Sequence, residues 1–373
     1  MKPHFYPPAI QSWGEILTHF SFLQGLSRVP QEPEYHAEGD VWTHTKMVVE
    51  ALWKKERYQQ AAAQEQAVLF YAALLHDLGK EICTQQDAEG RISSPKHALV
   101  GEHLVRSWLY TAPARFGRLS FFEREKICKL VRYHGLPLWI LQKENPEKAL
   151  FESSLQVCLQ DLALIAEADV LGRICESQDE LLERVAFFRL LAEEKNCYTS
   201  PKKFADAHTR FVYFYKYGES PADYPLYDDT EFEVILLCGL PASGKDTFYE
   251  QKLSHLPMVS LDAIRWELKV KPTDNQGIII QEGQERAKKF LRKKQSFVWN
   301  ATNLQRDRRK KLIDLFYTYK AAVRIVYVES PYEKLLQQNQ NRKQVVPPAV
   351  IRRMAERMEL PTLAEAHQVE YVV

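Results

Sequence analysis

The sequence is poor in the features that mark secreted, membrane-bound and disulfide-stabilised proteins. Its six cysteines are scattered along 373 residues, and no two have the spacing of a metal clip. We therefore expect reduced thiols in a cytoplasmic protein. No apolar run approaches the roughly 20 residues that a membrane-spanning helix needs, and the first residues lack the apolar core of a signal peptide. No membrane partner is predicted.

An excess of charge of one sign is also lacking, because 50 lysines and arginines are balanced by 49 acidic residues and the net charge is +1. A nucleic-acid substrate would therefore have to be held by local basic patches. Residues 286–294 and 306–311 form two such runs, although a solvated helix face is the plainer interpretation of each.

The distribution of apolar residues divides the chain into two parts. From residue 10 to about residue 195 they recur mostly at helical spacing, which predicts an all-helical bundle. From residue 233, short runs rich in β-branched residues alternate with helical stretches, which predicts a parallel sheet. The predicted fold class is therefore a two-domain α plus α/β protein. We expect a helical domain at residues 1–200, a helix and linker at 201–231, and an α/β domain at 232–373.

The second part contains "GLPASGK" at residues 239–245, which fits the phosphate-loop pattern G-x-x-x-x-G-K. It follows an apolar strand and opens a helix, so its backbone N–H groups can surround a phosphate. A plain turn is the alternative. The pattern predicts that ATP or another nucleoside triphosphate binds here with Mg²⁺. The predicted binding residues are Gly239, Leu240, Pro241, Ala242, Ser243, Gly244, Lys245, Asp246 and Thr247.

Three residues in or near this loop are candidates for its chemistry: Asp246, Asp262 and Arg265. Asp246 stands where the pattern has a serine or threonine hydroxyl. A carboxylate is also a hard ligand for Mg²⁺, so Asp246 is predicted to replace that hydroxyl, with Thr247 as the alternative. The next strand ends in "SLDAIR", which puts Asp262 and Arg265 at the ligand-binding edge of such a sheet. Asp262 can take a proton from an attacking hydroxyl, although a helix cap is its alternative role, and Arg265 can hold an acceptor phosphate.

The loop, "SLDAIR", "NATN" at residues 300–303 and a basic helix leading to "VPP" together resemble the P-loop polynucleotide 5′-kinase family. The resemblance implies that Asp262 is the general base on the 5′-hydroxyl and that Arg265 contacts the acceptor phosphate. It also implies that Arg342 belongs to a lid. Two residues depart from the family pattern: Asp246, and Gln338 where a second lid arginine is common.

The first part carries histidines and carboxylates on successive apolar helices. His76 and Asp77 are adjacent in "LLHDLGK", a pair that taken alone is most often structural. Four further residues lie on or at the end of helical stretches: His44, His97, His134 and Asp169. All could point into one bundle core, where imidazoles and carboxylates suit a divalent transition ion.

This series resembles the HD phosphohydrolase superfamily. The resemblance implies one or two divalent transition ions, such as Mn, Ni, Co, Cu or Zn, held by His44, His76, Asp77 and Asp169. It implies a second metal or a histidine-lined substrate site at His97 and His134. It also implies phosphate-binding cations at Lys80 and Arg173.

An HD domain followed by a polynucleotide kinase domain resembles the bacterial HD-Pnk end-healing enzymes. The resemblance implies a kinase for 5′-OH ends and a phosphoesterase for 2′,3′-cyclic phosphate or 2′/3′-phosphate ends of RNA or DNA, which a nucleic-acid ligase would then seal. Two other functions stay open. One is a small-molecule or nucleoside kinase fused to a nucleotide-cleaving HD domain, and the other is a non-catalytic nucleotide sensor.

Overall fold

A computed structural model describes residues 12–113, 116–117, 119–271, 274–342 and 344–373. The chain divides into two compact units, Met1–Lys203 and Phe204–Val373. The α-helices described in the first unit are α1 (Trp13–His19), α2 (Val41–Trp53), α3 (Glu56–Gln60), α4 (Ala63–Leu75), α5 (Lys80–Cys83), α6 (His97–Thr111), α7 (Phe121–Tyr133), α8 (Leu136–Trp139), α9 (Pro146–Ser154), α10 (Leu159–Leu171) and α11 (Gln178–Glu194).

Helix α4 is the centre of the first unit. All positions from 67 to 75 are buried, as expected for a helix that is apolar on every face. Helices α2, α7 and α10 pack against it, and α6 packs against α7. The helical character predicted for this part is confirmed. The structure adds 3₁₀ turns and a short antiparallel ladder of β1 (Gln85–Gln86) and β2 (Ile92–Ser93).

The second unit is built on a five-stranded sheet. Its strands are β3 (Phe232–Cys238), β4 (Met258–Ser260), β5 (Phe297–Asn300), β6 (Ala321–Val328) and β7 (Gln368–Val372). They lie in the order β4-β5-β3-β6-β7, and every pairing is parallel. Its α-helices are α12 (Ala207–Tyr215), α13 (Lys245–Phe248), α14 (Leu261–Glu267), α15 (Gly277–Arg292), α16 (Arg306–Thr318), α17 (Tyr332–Gln340) and α18 (Pro348–Glu356). The predicted parallel sheet is confirmed.

The structure differs from the sequence-based expectation in three elements of this unit. Strand β7 and helix α18 were not predicted. Helix α12 begins at Ala207 rather than at the start of the predicted helix and linker segment 201–231. Asp206 sets that start, because its side chain accepts a 2.6 Å hydrogen bond from the Thr209 N–H and caps the helix.

No single helix in the described ranges has the length and apolarity to cross a membrane. Helices α9 and α10 meet that criterion only when they are counted together as a bent pair, by length and composition alone.

Candidate active sites

Three of the predicted site residues of the first unit lie at helix ends, and two lie within helices. His76 and His134 are the C-terminal caps of α4 and α7, and His97 is the first residue of α6. His44 lies in α2 and Asp169 in α10. Because α2, α7 and α10 pack around α4 and α6 packs against α7, the six predicted residues lie together. We call this set the histidine cluster: His44, His76, Asp77, His97, His134 and Asp169.

The Asp77 carboxylate lies between two pairs of imidazoles. Its Oδ2 is 3.2 Å from Nε2 of His76 and 3.7 Å from Nε2 of His44. Its Oδ1 is 3.4 Å from Nε2 of His97 and 3.8 Å from Nε2 of His134. Each oxygen therefore faces its own pair of ring nitrogens, and one carboxylate could contact two cations.

Backbone carbonyls fix the orientation of three of these rings. In each, Nδ1 lies 2.7–2.8 Å from the carbonyl oxygen three residues earlier in the chain. The three are His76, His97 and His134. An Nδ1–H that donates to a carbonyl leaves the Nε2 lone pair free, which is the state in which histidine binds a metal ion.

His44 is oriented by carboxylates on both sides. Its Nε2 is 3.0 Å from Oδ1 of Asp169, and its Nδ1 is 2.9 Å from Oε1 of Glu38. Burial alone would raise the pKa of Glu38, but hydrogen bonds from His36 and His44 lower it far below its usual range. Glu38 is therefore an ionised partner of His44. This role could not be predicted, because Glu38 lies in an irregular segment before α2 and belongs to no motif.

Both cations predicted to bind phosphate contact carboxylates of the cluster. The Lys80 ammonium is 2.8 Å from Oδ2 of Asp77 and 2.7 Å from Oε1 of Gln31. Arg173 lies 2.6 Å from Oδ2 of Asp169. Burial alone would raise the pKa values of Asp77 and Asp169, but Lys80, Arg173 and the neighbouring imidazoles hold both well below their usual range. Both carboxylates are therefore ionised.

Gly79 allows the turn after Asp77 to approach α6. A Cβ at this position would lie 2.1 Å from the His97 carbonyl oxygen and 2.7 Å from the Gly101 nitrogen. Only glycine fits that contact, which brings His97 up to Asp77.

The histidine cluster has the donors that a divalent ion requires. Nε2 of His76 and Oδ1 of Asp77 are buried without a hydrogen-bond partner among the described residues, and buried polar atoms of this kind are costly unless something satisfies them. In two sets of three residues the ligand atoms all lie within 4.8 Å of one another: His44, His76 and Asp77, and Asp77, His97 and His134. The residues therefore fit one or two divalent cations.

In the second unit, two glycines shape the loop between β3 and α13. Gly239 has φ of +147°, and a Cβ there would lie 2.3 Å from the Val328 carbonyl oxygen. Gly244 has φ of +101° and caps α13. Lys245 donates from Nζ to the carbonyl oxygens of Gly239 and Leu240, at 2.9 and 2.7 Å. Burial lowers the pKa of Lys245 to about 8.

Asp246 contacts the end of the neighbouring strand. Its Oδ1 accepts a 2.7 Å hydrogen bond from Nδ2 of Asn300, the last residue of β5. In other P-loop proteins the loop hydroxyl and a carboxylate at a strand end hold Mg²⁺. Here the carboxylate is on the loop and the neutral group is on the strand. Asp246 and Asn300 together carry one negative charge, as in the usual arrangement, but the carboxylate and the neutral group have exchanged positions.

The two predicted acceptor residues, Asp262 and Arg265, lie together with the predicted lid residue Arg342. Asp262 forms an ion pair with Arg265, and its Oδ2 is 3.7 Å from Arg342. The N-cap of α14 is Ser260, whose Oγ accepts a hydrogen bond from the Ala263 N–H. Asp262 is therefore not the helix cap, and its exposed carboxylate is available to a ligand.

The remaining loop residues differ in accessibility. Leu240, Pro241 and Ser243 are buried, and Ser243 Oγ has no hydrogen-bond partner within the described ranges. Thr247 is exposed.

One arginine of each basic run has structural partners in the second unit. Arg309 is fully buried and contacts the Glu365 carboxylate and the carbonyl oxygens of Asn303 and Glu359. In the other run, Arg286 pairs with Glu282 and Glu267. Arg309 is therefore structural, whereas Arg286 forms ion pairs at the surface.

A comparison with known protein families finds a match within the second unit. A family model described as an AAA domain matches residues 234–361, which contain the loop and most of the sheet. Together with the loop geometry and the parallel sheet, this match supports a nucleotide-binding P-loop domain in the second unit.

Curated relatives match only parts of the chain. A Multifunctional CCA protein of Hahella chejuensis is 30% identical over 106 residues, which are 28% of this chain and 22% of that protein. An L-seryl-tRNA(Sec) kinase of Methanococcus maripaludis is 27% identical over 135 residues, 34% of this chain and 53% of that protein. The chain thus spans about a fifth to a half of the length of these relatives. A chain in a structure described as the Pnkp1/Rnl/Hen1 complex is 19% identical with a TM-score of 0.28, covering 32% of this chain and 43% of that chain.

Proposed function

We propose that the chain is a bifunctional enzyme that heals broken nucleic-acid ends. Its second unit would transfer phosphate from a nucleoside triphosphate to a 5′-hydroxyl end. Its first unit would hydrolyse 2′,3′-cyclic phosphate or 2′/3′-phosphate ends. The observation that carries the proposal is that each unit holds its own set of groups suited to phosphate chemistry.

In the kinase site, each residue has a distinct task. The loop N–H groups and Lys245 bind the triphosphate, and Asp246 and Asn300 are the side chains that would hold Mg²⁺. Bound Mg²⁺ neutralises charge on the transferred phosphate. Asp262 accepts the proton of the attacking hydroxyl, and Arg265 binds the acceptor's phosphate.

In the phosphoesterase site, His44, His76, Asp77 and Asp169 would hold one ion, and His97 and His134 face the other oxygen of Asp77. A bound ion supplies an activated water and stabilises charge on the phosphate. Lys80 and Arg173 keep the two carboxylates ionised and in place. The His97 side chain is 26% exposed, compared with 5% or less for the other three imidazoles, so it lies on the side that substrate would approach.

The names of two relatives agree with a nucleic-acid substrate without establishing one. One is called a kinase of L-seryl-tRNA(Sec) and the other a Multifunctional CCA protein. The polynucleotide assignment rests mainly on Asp262, Arg265 and Arg342 lying together beside the loop, since these groups suit an acceptor that carries both a hydroxyl and a phosphate.

The test uses an RNA with a 5′-OH end and a 2′,3′-cyclic phosphate end, with ATP, Mg²⁺ and a transition ion. We expect a new 5′-phosphate and loss of the terminal cyclic phosphate. Parallel reactions contain nucleosides or small polyols. Transfer to those acceptors but not to RNA would support a small-molecule kinase. Nucleotide binding without any turnover would support a sensor. Either result would contradict the proposal.

A further inference from the structure

Several large apolar side chains of the second unit are exposed near the predicted acceptor site. They come from α14 and its C-cap and from the first turn of α15: Trp266, Leu268, Ile278 and Ile280. A group of exposed apolar side chains usually marks a binding surface.

Helices α14 and α15 meet beside Arg265. Helix α14 packs against α15, and Nε of Arg265 donates a 3.0 Å hydrogen bond to Oε1 of Gln276, which precedes α15. Arg342, just after α17, is 3.7 Å from Asp262. Trp266 and the first turn of α15 therefore lie close to the carboxylate and two arginines that would receive the end of an acceptor.

Trp266 is the most prominent member of this group. It is 71% exposed, and it stacks on no other ring among the described residues. Asp262, Arg265 and Trp266 are spaced i, i+3 and i+4 on α14, so they share one face of the helix. An indole is thus presented to solvent on the same face as the carboxylate and the guanidinium. Nothing in the packing of the unit requires an exposed tryptophan there.

We propose that Trp266 is a stacking platform for the nucleobase of the nucleotide that carries the 5′-hydroxyl. The inference rests on the proposed kinase function. With the hydroxyl at Asp262 and the next phosphate at Arg265, the base of that nucleotide is held beside the same helix face. Stacking on an aromatic ring tolerates every base, because each base has a π-face. The site therefore takes single-stranded or overhanging 5′-OH ends of any sequence, and it disfavours blunt ends whose terminal base is already stacked.

Steady-state phosphorylation of a single-stranded 5′-OH RNA tests this directly. Stacking of one base is typically worth about 1–3 kcal/mol, so Trp266→Ala should raise KM for the RNA by roughly 5- to 150-fold. The KM for ATP should not change, and Trp266→Phe should keep most of the affinity. Tyr227→Ala is the matched control, because Tyr227 is an aromatic residue that is 88% exposed but precedes β3, at the end of that strand opposite the loop; the KM of this variant for the RNA should equal that of wild type.

A substrate with an abasic 5′-terminal nucleotide provides a test that needs no variant. For wild type, the KM for the abasic RNA should exceed that for the normal RNA by the same factor. For Trp266→Ala, the two KM values should be equal. Equal KM for normal and abasic RNA in wild type would overturn the inference while leaving the kinase function intact. An unchanged KM in a folded Trp266→Ala protein would do the same. If wild type transfers phosphate to no 5′-OH polynucleotide, the proposed function fails, and this inference fails with it.

Discussion

The exchange of carboxylate and neutral group between Asp246 and Asn300 makes a specific prediction about Mg²⁺. From the sequence alone, Asp246→Ser would be expected to retain much activity, since it restores the usual hydroxyl. The structure changes that expectation, because the neighbouring strand end carries an amide rather than a carboxylate. Asp246→Ser would leave neither of these two positions with a negative charge for the ion.

The size of the loss follows from the charge removed. An interaction with a charged group contributes about 1.5–3 kcal/mol, or roughly 10- to 150-fold. Because Asp246 is exposed, solvent screens part of that interaction, and we expect the lower end of the range, about 10- to 30-fold. The loss should appear in kcat/KM at subsaturating Mg²⁺ and in the affinity for Mg²⁺-ATP measured by calorimetry. Affinity for ATP without metal should barely change.

The compensating variant separates this reasoning from a simple loss of fold. Asp246→Ser combined with Asn300→Asp recreates the usual arrangement and should recover activity to within about threefold of wild type. Asn300→Asp alone puts two carboxylates side by side and serves as the control for damage at β5. Wild-type Mg²⁺ dependence in Asp246→Ser would refute the reasoning and point to Thr247. A double variant no better than Asp246→Ser would also refute it.

Three further predictions follow from individual groups. Asp262→Ala should lower the rate of phosphate transfer by about 10²–10⁴-fold while ATP binding stays intact. Arg265→Ala should mainly raise KM for the acceptor. If Asp262→Ala keeps the wild-type rate, Asp262 is not the general base. Purified wild type should contain a transition ion by elemental analysis, and a folded His76→Ala/Asp77→Ala variant should not; equal metal content would contradict the metal site. Burial lowers the pKa of Lys245 to about 8, from 10.5 when free, so above pH 8 the unfolded state binds more protons and stability should rise with pH. Relative to Lys245→Met, the free energy of unfolding of wild type should increase by roughly 2 kcal/mol between pH 7 and 9.5. If the difference in thermal stability between the two proteins does not change with pH, this prediction is wrong.

The order of helices and strands could be predicted because it depends on local periodicity. Helix α4 is apolar over its last nine positions, and β3, β5 and β6 are short runs rich in β-branched and aromatic residues. Strand β7 gives a weaker signal, since none of its residues is buried. It is a strand because it pairs with β6, and that pairing cannot be read from a local pattern. Helix α18 was not predicted because Pro347 caps it and Pro348 is its first residue, and two consecutive prolines are more typical of a turn.

The candidate sites could be predicted where a residue belongs to a motif with its own chemistry. The loop at residues 239–245 and the pair His76–Asp77 are of this kind. Glu38 and Asn300 were not assigned roles, because only tertiary contacts show what they do. Glu38 acts through the Nδ1 atom of His44, and Asn300 is 54 positions from Asp246 in the chain. Trp266 follows Arg265 directly in the sequence, but its exposure is known only from the fold.

The most direct test of the central claim, two independent phosphate chemistries in one chain, uses a single RNA that carries a 5′-OH and a 2′,3′-cyclic phosphate. Both ends are followed at once in wild type, Lys245→Ala and His76→Ala/Asp77→Ala. We predict that Lys245→Ala stops 5′ phosphorylation but still removes the cyclic phosphate, and that the double variant does the reverse while circular dichroism shows an intact helical bundle. Loss of both reactions from a correctly folded Lys245→Ala protein would contradict the account, because it would mean that the two ends are processed by one composite site.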